Sequence, residues 1–207
     1  INTAVLDANG SFNATGGTIT FTGAGDLQLG GAVVTSLGPN LTHSAGTVTY
    51  DLAGAQTIVE DAYFNLIAPV SGTKTLAGNV TVNGDLTIAT GNTLALGAAT
   101  LDVTTGATAI PGDLTIGTNG VLDADGSFTA ENGNITLTGT GTMELSGAVA
   151  HLGVLSTGAG TVNYDGNDAR TIFGDTYFNL SGNGTATKTL GGNVTLNGAL
   201  LIDAATT

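Results

Sequence analysis

The chain has no cysteine, no tryptophan, one methionine and three prolines, and only three of its 207 residues carry positive charge. Without cysteine there are no disulfides, no thiol nucleophile and no thiolate zinc site. Three cations against 16 acids give a net charge of −13, which cannot neutralise a phosphate backbone, so nucleic acid is excluded as a partner. The same balance disfavours docking on anionic lipid. Apolar runs are only a few residues long, so no membrane insertion is expected. No basic segment followed by an apolar one opens the sequence, so any secretory leader is expected to be already removed or to lie outside it.

Threonine and glycine dominate, with 37 and 34 residues, about a third of the chain. Hydrophobic residues make up 41%, enough for a packed core and too many for a disordered segment. The irregular glycine spacing excludes a collagen helix. Glycine, threonine and asparagine are weak helix formers, whereas β-branched residues favour strands. An acidic, lysine-poor, Thr/Asn-rich composition is typical of secreted bacterial proteins, and an extracellular or cell-surface location is expected.

An internal repeat is the strongest signal. Val5-Leu6-Asp7-Ala8-Asn9-Gly10-Ser11-Phe12 returns as Val121-Leu122-Asp123-Ala124-Asp125-Gly126-Ser127-Phe128, 116 residues on. Gly46 to Ile88 aligns with Gly160 to Ile202 at an offset of 114, with 25 of 43 positions identical. The implied organisation is repeat unit 1 over residues 1–116 and a truncated unit 2 over 117–207, running together as one continuous body. Ending within a repeat predicts a piece of a longer periodic protein.

Short strands alternate apolar and polar residues within the repeat: Thr47-Val48-Thr49, Val80-Thr81-Val82, Leu86-Thr87-Ile88, Leu101-Asp102-Val103, Ile135-Thr136-Leu137. Such alternation buries one face. Gly, Asn and Asp separate the strands and turn corners. Gly84-Asp85-Leu86-Thr87-Ile88 recurs as Gly112-Asp113-Leu114-Thr115-Ile116, a 28-residue offset read as one coil. The fold class is all-β, a parallel β-solenoid (β-helix) of two tandem repeats of about 115 residues. Tandem antiparallel β-sandwich domains are the alternative, disfavoured by strands of three to five residues and by the absence of a linker.

Asn79-Val80-Thr81-Val82-Asn83-Gly84-Asp85-Leu86-Thr87-Ile88, followed by Gly91-Asn92-Thr93-Leu94, is similar to repeat regions of large secreted bacterial surface proteins. The segment from Tyr177-Phe178-Asn179-Leu180 through Lys188 to Asn197-Gly198 reads the same way. These regions resemble the β-helical stalks of filamentous adhesins and autotransporter passengers. The resemblance implies an extracellular stalk or fibre and carries no functional residues across.

No constellation for catalysis stands out, and no catalytic residue is assigned. His43 and His151 do not occupy matching repeat positions, and no nucleophile elbow surrounds a serine. The acid pairs Glu60-Asp61, Asp123 with Asp125, and Asp165 with Asp168 could serve a carbohydrate-active enzyme, but Lys74, Lys188 and Arg170 are the only available bases. Lys74 and Lys188 are repeat-equivalent, which suits a structural role. Asp7-x-Asn9-Gly10 and Asp123-x-Asp125-Gly126 place oxygen ligands at i and i+2 before a glycine turn, as a calcium loop does, though no bidentate Glu follows. Calcium is the one cofactor these patterns suit, with Asp7, Asn9, Asp123 and Asp125 as its candidate ligands. The pairs Thr18/Thr20, Thr47/Thr49, Thr73/Thr75 and Thr187/Thr189 each face one side of a strand, a candidate binding face for glycan or ice. Tyr63-Phe64 and Tyr177-Phe178 are each expected to bury one ring.

The reading that follows is a structural, non-enzymatic segment of an extracellular fibre, stalk or surface filament. Its partners would be further copies of itself, head to tail or laterally. A binding module for glycans or another surface is the alternative.

Overall fold

The structure is a computed structural model that describes residues 1–34, 36–37, 41–42 and 44–203. It is a parallel β-solenoid of about 10 turns. Among the described residues there is no helix, hence none long and apolar enough to cross a membrane.

Each turn lays one short strand on each of three faces. The first face is an eight-stranded sheet running from Val5–Ala8 through Asp26–Leu29, Thr47–Thr49, Asn65–Ala68, Leu86–Ile88, Thr108–Ala109 and Phe128–Thr129 to Val149–His151. The second has six strands, from Gln56–Ile58 to Val154–Ser156. The third has eight, from Ala62–Tyr63 to Leu200–Ile202. All pairings are parallel; in the first turns the parallel bridges Phe12↔Val33 and Thr20↔Thr42 stand in for strands of the second and third faces. Two two-stranded sheets, Arg170–Ile172 with Lys188–Leu190 and Thr176–Tyr177 with Thr195–Leu196, complete the last turns.

The turn length corrects one expectation. Leu101, Leu122 and Met143 stack in register, so one turn is 21 residues there. Turns range from 18 residues (Val48↔Leu66) to 22 (Leu86↔Thr108). The 28-residue offset between Gly84–Ile88 and Gly112–Ile116 is therefore not a coil. Leu86 lies on the first face and Leu114 on the second, so the offset carries the motif one turn and one face onward.

The long repeat behaves similarly. Val5–Ala8 belongs to the first face and its copy Val121–Ala124 to the third; Thr47–Thr49 and its copy Thr161–Tyr164 divide the same way. The sequence unit thus spans five turns and two thirds, and equivalent residues of the copies look out in different directions around the rod. The third sheet runs unbroken past residue 116, so both copies share one body.

Alternation places Leu27, Val48, Leu66 and Leu86 inward from the first face, and Leu101, Leu122, Met143 and Val162 inward from the third, all fully buried. The backbones approach most closely at the corners. A Cβ on Gly126 would lie 1.8 Å from the Gly106 carbonyl oxygen, and one on Gly147 1.7 Å from that of Gly126. Glycine is required in this column because the turn below occupies the space a side chain needs.

Buried polar side chains tie strands to loops. Gln56 Nε2 donates to the Leu29 and Gly31 carbonyls at 2.6 and 2.9 Å. Its repeat counterpart Arg170 donates Nε to the Ser146 carbonyl at 2.8 Å. Lys74 points inward, fully buried, and donates Nζ to the Leu52 and Gly54 carbonyls. Lys188 does likewise to Gly166 (2.6 Å) and Ala186 (3.4 Å). Both lysines cap backbone carbonyls of the turn below, and Lys188 also caps that of Ala186 in its own turn. Burial lowers the Lys74 ammonium pKa, and Asp51 partly opposes that shift.

Candidate functional site

The outward side of the third sheet carries a column of acids. Asp102, Asp123 and Glu144 are in register on successive turns. The next residues in that column are Asn163 and Ser181. Asp125 and Asp165 stand two residues along from Asp123 and Asn163, beside the same column. One carboxylate oxygen from each of Asp123, Glu144 and Asp165 lies within 4.8 Å of the others. Ser146 Oγ donates to Asp165 Oδ1 at 2.8 Å and fixes that carboxylate.

Stacking is what assembles this group. Parallel register puts side chains about 4.8 Å apart on adjacent turns, so acids a turn apart in sequence become direct neighbours. Asp123 is pushed up to about 6, first by partial burial and then by the charges of Asp125, Glu144, Asp102 and Asp165. Glu144 is raised by burial and by Asp165 and Asp125, and Asp102 by burial and Asp125. The nearby cations are engaged elsewhere: Arg170 pairs with Asp168 at 3.3 Å, and Lys188 caps the Gly166 carbonyl. Glu144 and Asn163 line a groove of about 420 Å³ on this face, together with Thr142, Thr161 and Ser181. Asn163 is only 8% exposed, and its Oδ1 has no hydrogen-bond partner.

Of the four proposed calcium ligands, only Asp123 is one of the converging carboxylates, and exposed Asp125 stands beside them. Asp7 and Asn9 do not; they are exposed on the first face in the first turn, where Gln28 lies in register with Asp7. The copies separate because the repeat is not a whole number of turns. Glu144 and Asp165 complete the group from the next two turns, and neither is adjacent to Asp123 in sequence. The signal that points to Glu144 is spacing, since 102, 123 and 144 are all acidic and 21 apart; Asp165 enters from two residues beyond Asn163, the register partner of Glu144.

The other candidates are dispersed. Thr18 and Thr20 are exposed near the start; Thr47 and Thr49 are on the first face, where Thr49 is buried and donates to Asp26 at 2.9 Å. Thr73 and Thr75 are exposed on the second face, whereas Thr187 and Thr189 flank and occupy a strand of the small Arg170–Ile172 sheet. They do not share a surface. A different hydroxyl column does form on the second face: Thr57, Thr75, Thr115, Thr136 and Ser156 are in register, interrupted by Ala95.

Asp61 holds the Ala62 N–H at 2.8 Å beside exposed Glu60. His151 is exposed and tilts against Phe173 at 6.2 Å between ring centres; His43 lies outside the described residues. Tyr63 and Tyr177 are fully buried, while Phe64 and Phe178 are partly exposed, resting over Gly84 and Gly198.

No family model matches the chain, and no solved structure matches it. It is similar to the Outer membrane protein A of Rickettsia rickettsii, with 30% identity over 194 residues and 80% of this chain covered. The chain spans 8% of that protein's length.

Proposed function

We propose that this chain is a structural segment of an extracellular stalk, fibre or surface filament. The carrying observation is the unbroken coil stack, whose apolar interior opens at both ends. Of the inward-facing residues, Leu6 is exposed in the first turn, and Leu190, Leu200 and Ile202 in the last. There, Ile172, Leu180, Val194 and Leu196 line a further cavity of about 280 Å³. Unpaired strand edges above an apolar lumen invite another turn, from the same polypeptide or from a second copy. The similarity to an outer membrane protein of a bacterium supports a surface location, and a β-solenoid fits a structural or adhesin-like role there. The function is mechanical: about ten turns at about 4.8 Å each make a rod of about 50 Å.

Electron microscopy of the purified chain tests this. Linear particles in multiples of about 50 Å are expected. Monodisperse single particles at every protein and calcium concentration would count against end-to-end assembly.

A second reading, a binding face, is favoured by the hydroxyl column from Thr57 to Ser156. The neighbouring column, Thr73, Thr93, Asp113, Asn134 and Val154, is too mixed to present a regular lattice to ice, which favours glycans. A glycan array and a thermal hysteresis assay decide it; silence in both leaves the stalk.

A further inference from the structure

We infer that Asp123, Glu144, Asp165 and Asn163 form a calcium site that clamps three successive turns of the rod. The three carboxylates converge within 4.8 Å, about the diameter across a shell of oxygen ligands at roughly 2.4 Å from a calcium ion. Acids alone would not establish a site. The independent observation is Asn163: its side chain is more than nine-tenths buried, it lies in register beside Glu144, and its Oδ1 has no donor. A buried amide oxygen without a partner is costly, and a hard cation at the carboxylates would satisfy it.

The donors suit calcium rather than a softer metal. All are oxygens, there is no histidine or cysteine among them, and the ligands come from three turns at unequal reach, which a large cation with flexible coordination tolerates better than magnesium does. Ser146 positions Asp165 by donating to Oδ1, leaving Oδ2 free to coordinate. Asp125 and Asp102 add negative charge at the rim. Arg170 and Lys188, the cations on the Asp165 side, hydrogen-bond to Asp168, Ser146 and Gly166; Lys188 offsets part of the Asp165 charge, and the remaining acids outnumber these two cations. Because ligands come from consecutive turns, the ion would bridge coils that otherwise repel one another on this face.

The test uses the whole chain with calcium chloride alone. Calorimetric titration should show one site with a dissociation constant of about 0.1–1 mM, the range of extracellular calcium modules. Thermal unfolding in 10 mM calcium should move up by several degrees relative to EDTA, with magnesium giving much less. Glu144→Gln should abolish the shift, whereas Glu131→Gln, at an exposed turn, should keep it. The order of stability should also cross: in EDTA Glu144→Gln is at least as stable as the parent, because a repulsion is relieved, and in calcium the parent is the more stable. The EDTA measurement also shows that the variant folds. Absence of binding at 10 mM, an equal response to magnesium, or an undiminished response in Glu144→Gln would each overturn the site.

Discussion

Tyr50 and Tyr63 join through their hydroxyls at 2.9 Å inside the solenoid, with rings edge to face at 6.3 Å. Tyr63 Oη donates to the Val59 carbonyl at 2.7 Å, and the Val59 N–H donates to Tyr50 Oη at 3.3 Å. Each hydroxyl has one proton, so Tyr50 must donate to Tyr63, closing a ring of three hydrogen bonds. Tyr164, Tyr177 and Phe173 repeat the ring at 3.2, 2.6 and 3.1 Å. Each ring pins a corner loop to the core, which strand pairing alone does not do.

Removing one hydroxyl should therefore cost more than its small volume suggests. Tyr50→Phe leaves the buried Val59 N–H without an acceptor and should destabilise the chain by about 1–3 kcal/mol. Tyr164→Phe should behave alike. Urea unfolding monitored by circular dichroism measures both; a loss below the scatter of surface substitutions would refute the closed ring.

The same burial predicts an alkaline response. The chain has four tyrosines, and all four belong to these pairs. Desolvation pushes Tyr50 up to about 12, and Tyr63, Tyr164 and Tyr177 upward as well. An acid whose folded pKa is raised contributes stability that is present below its unfolded value, about 10, and lost as pH rises through the folded one. Tyrosinate absorbance at 295 nm should therefore be nearly absent at pH 10.5 in the folded chain. It should then appear together with unfolding at higher pH. A gradual titration centred on pH 10 with the fold intact would contradict the buried pairs.

Glycine in the corner column should be intolerant. Gly126→Ala drives a methyl group into the Gly106 carbonyl, a backbone obstacle, and should cost at least about 1–3 kcal/mol. Gly10→Ala, with open space around it, should be nearly neutral. Comparing the two midpoints in urea separates close coil approach from general helix or strand propensity.

Much of this architecture is legible in the residues. Thr47–Thr49, Val80–Val82 and Leu86–Ile88 alternate apolar and polar positions, and each is a strand with the expected face buried. The turn length is not legible from one motif pair, because corners vary and turns run from 18 to 22 residues. The most visible short repeat, Gly84–Ile88 with Gly112–Ile116, crosses from one face to the next. The structural role of Lys74 is legible from its recurrence as Lys188, but its acceptors are not: they are loop carbonyls of the turn below, which its long stem reaches from the interior. Asp123 and Asp125 are visible as a pair, but Glu144 and Asp165 join them only once the register of the successive turns is known, 21 residues to Glu144 and 19 to the next turn. Threonine pairs far apart in sequence gave no indication of which face each would occupy.

The central claim is a stiff rod built by regular stacking, and an intramolecular distance tests it most directly. Cysteine is absent, so Asp7→Cys and His151→Cys can be spin-labelled without background. Both are exposed, on the first and last strands of the eight-stranded first sheet. Seven inter-strand spacings predict a backbone separation of about 34 Å. Double electron–electron resonance should return a narrow distribution near that value, broadened only by the labels. A broad distribution, or a mean shorter by several turns, would contradict the rod.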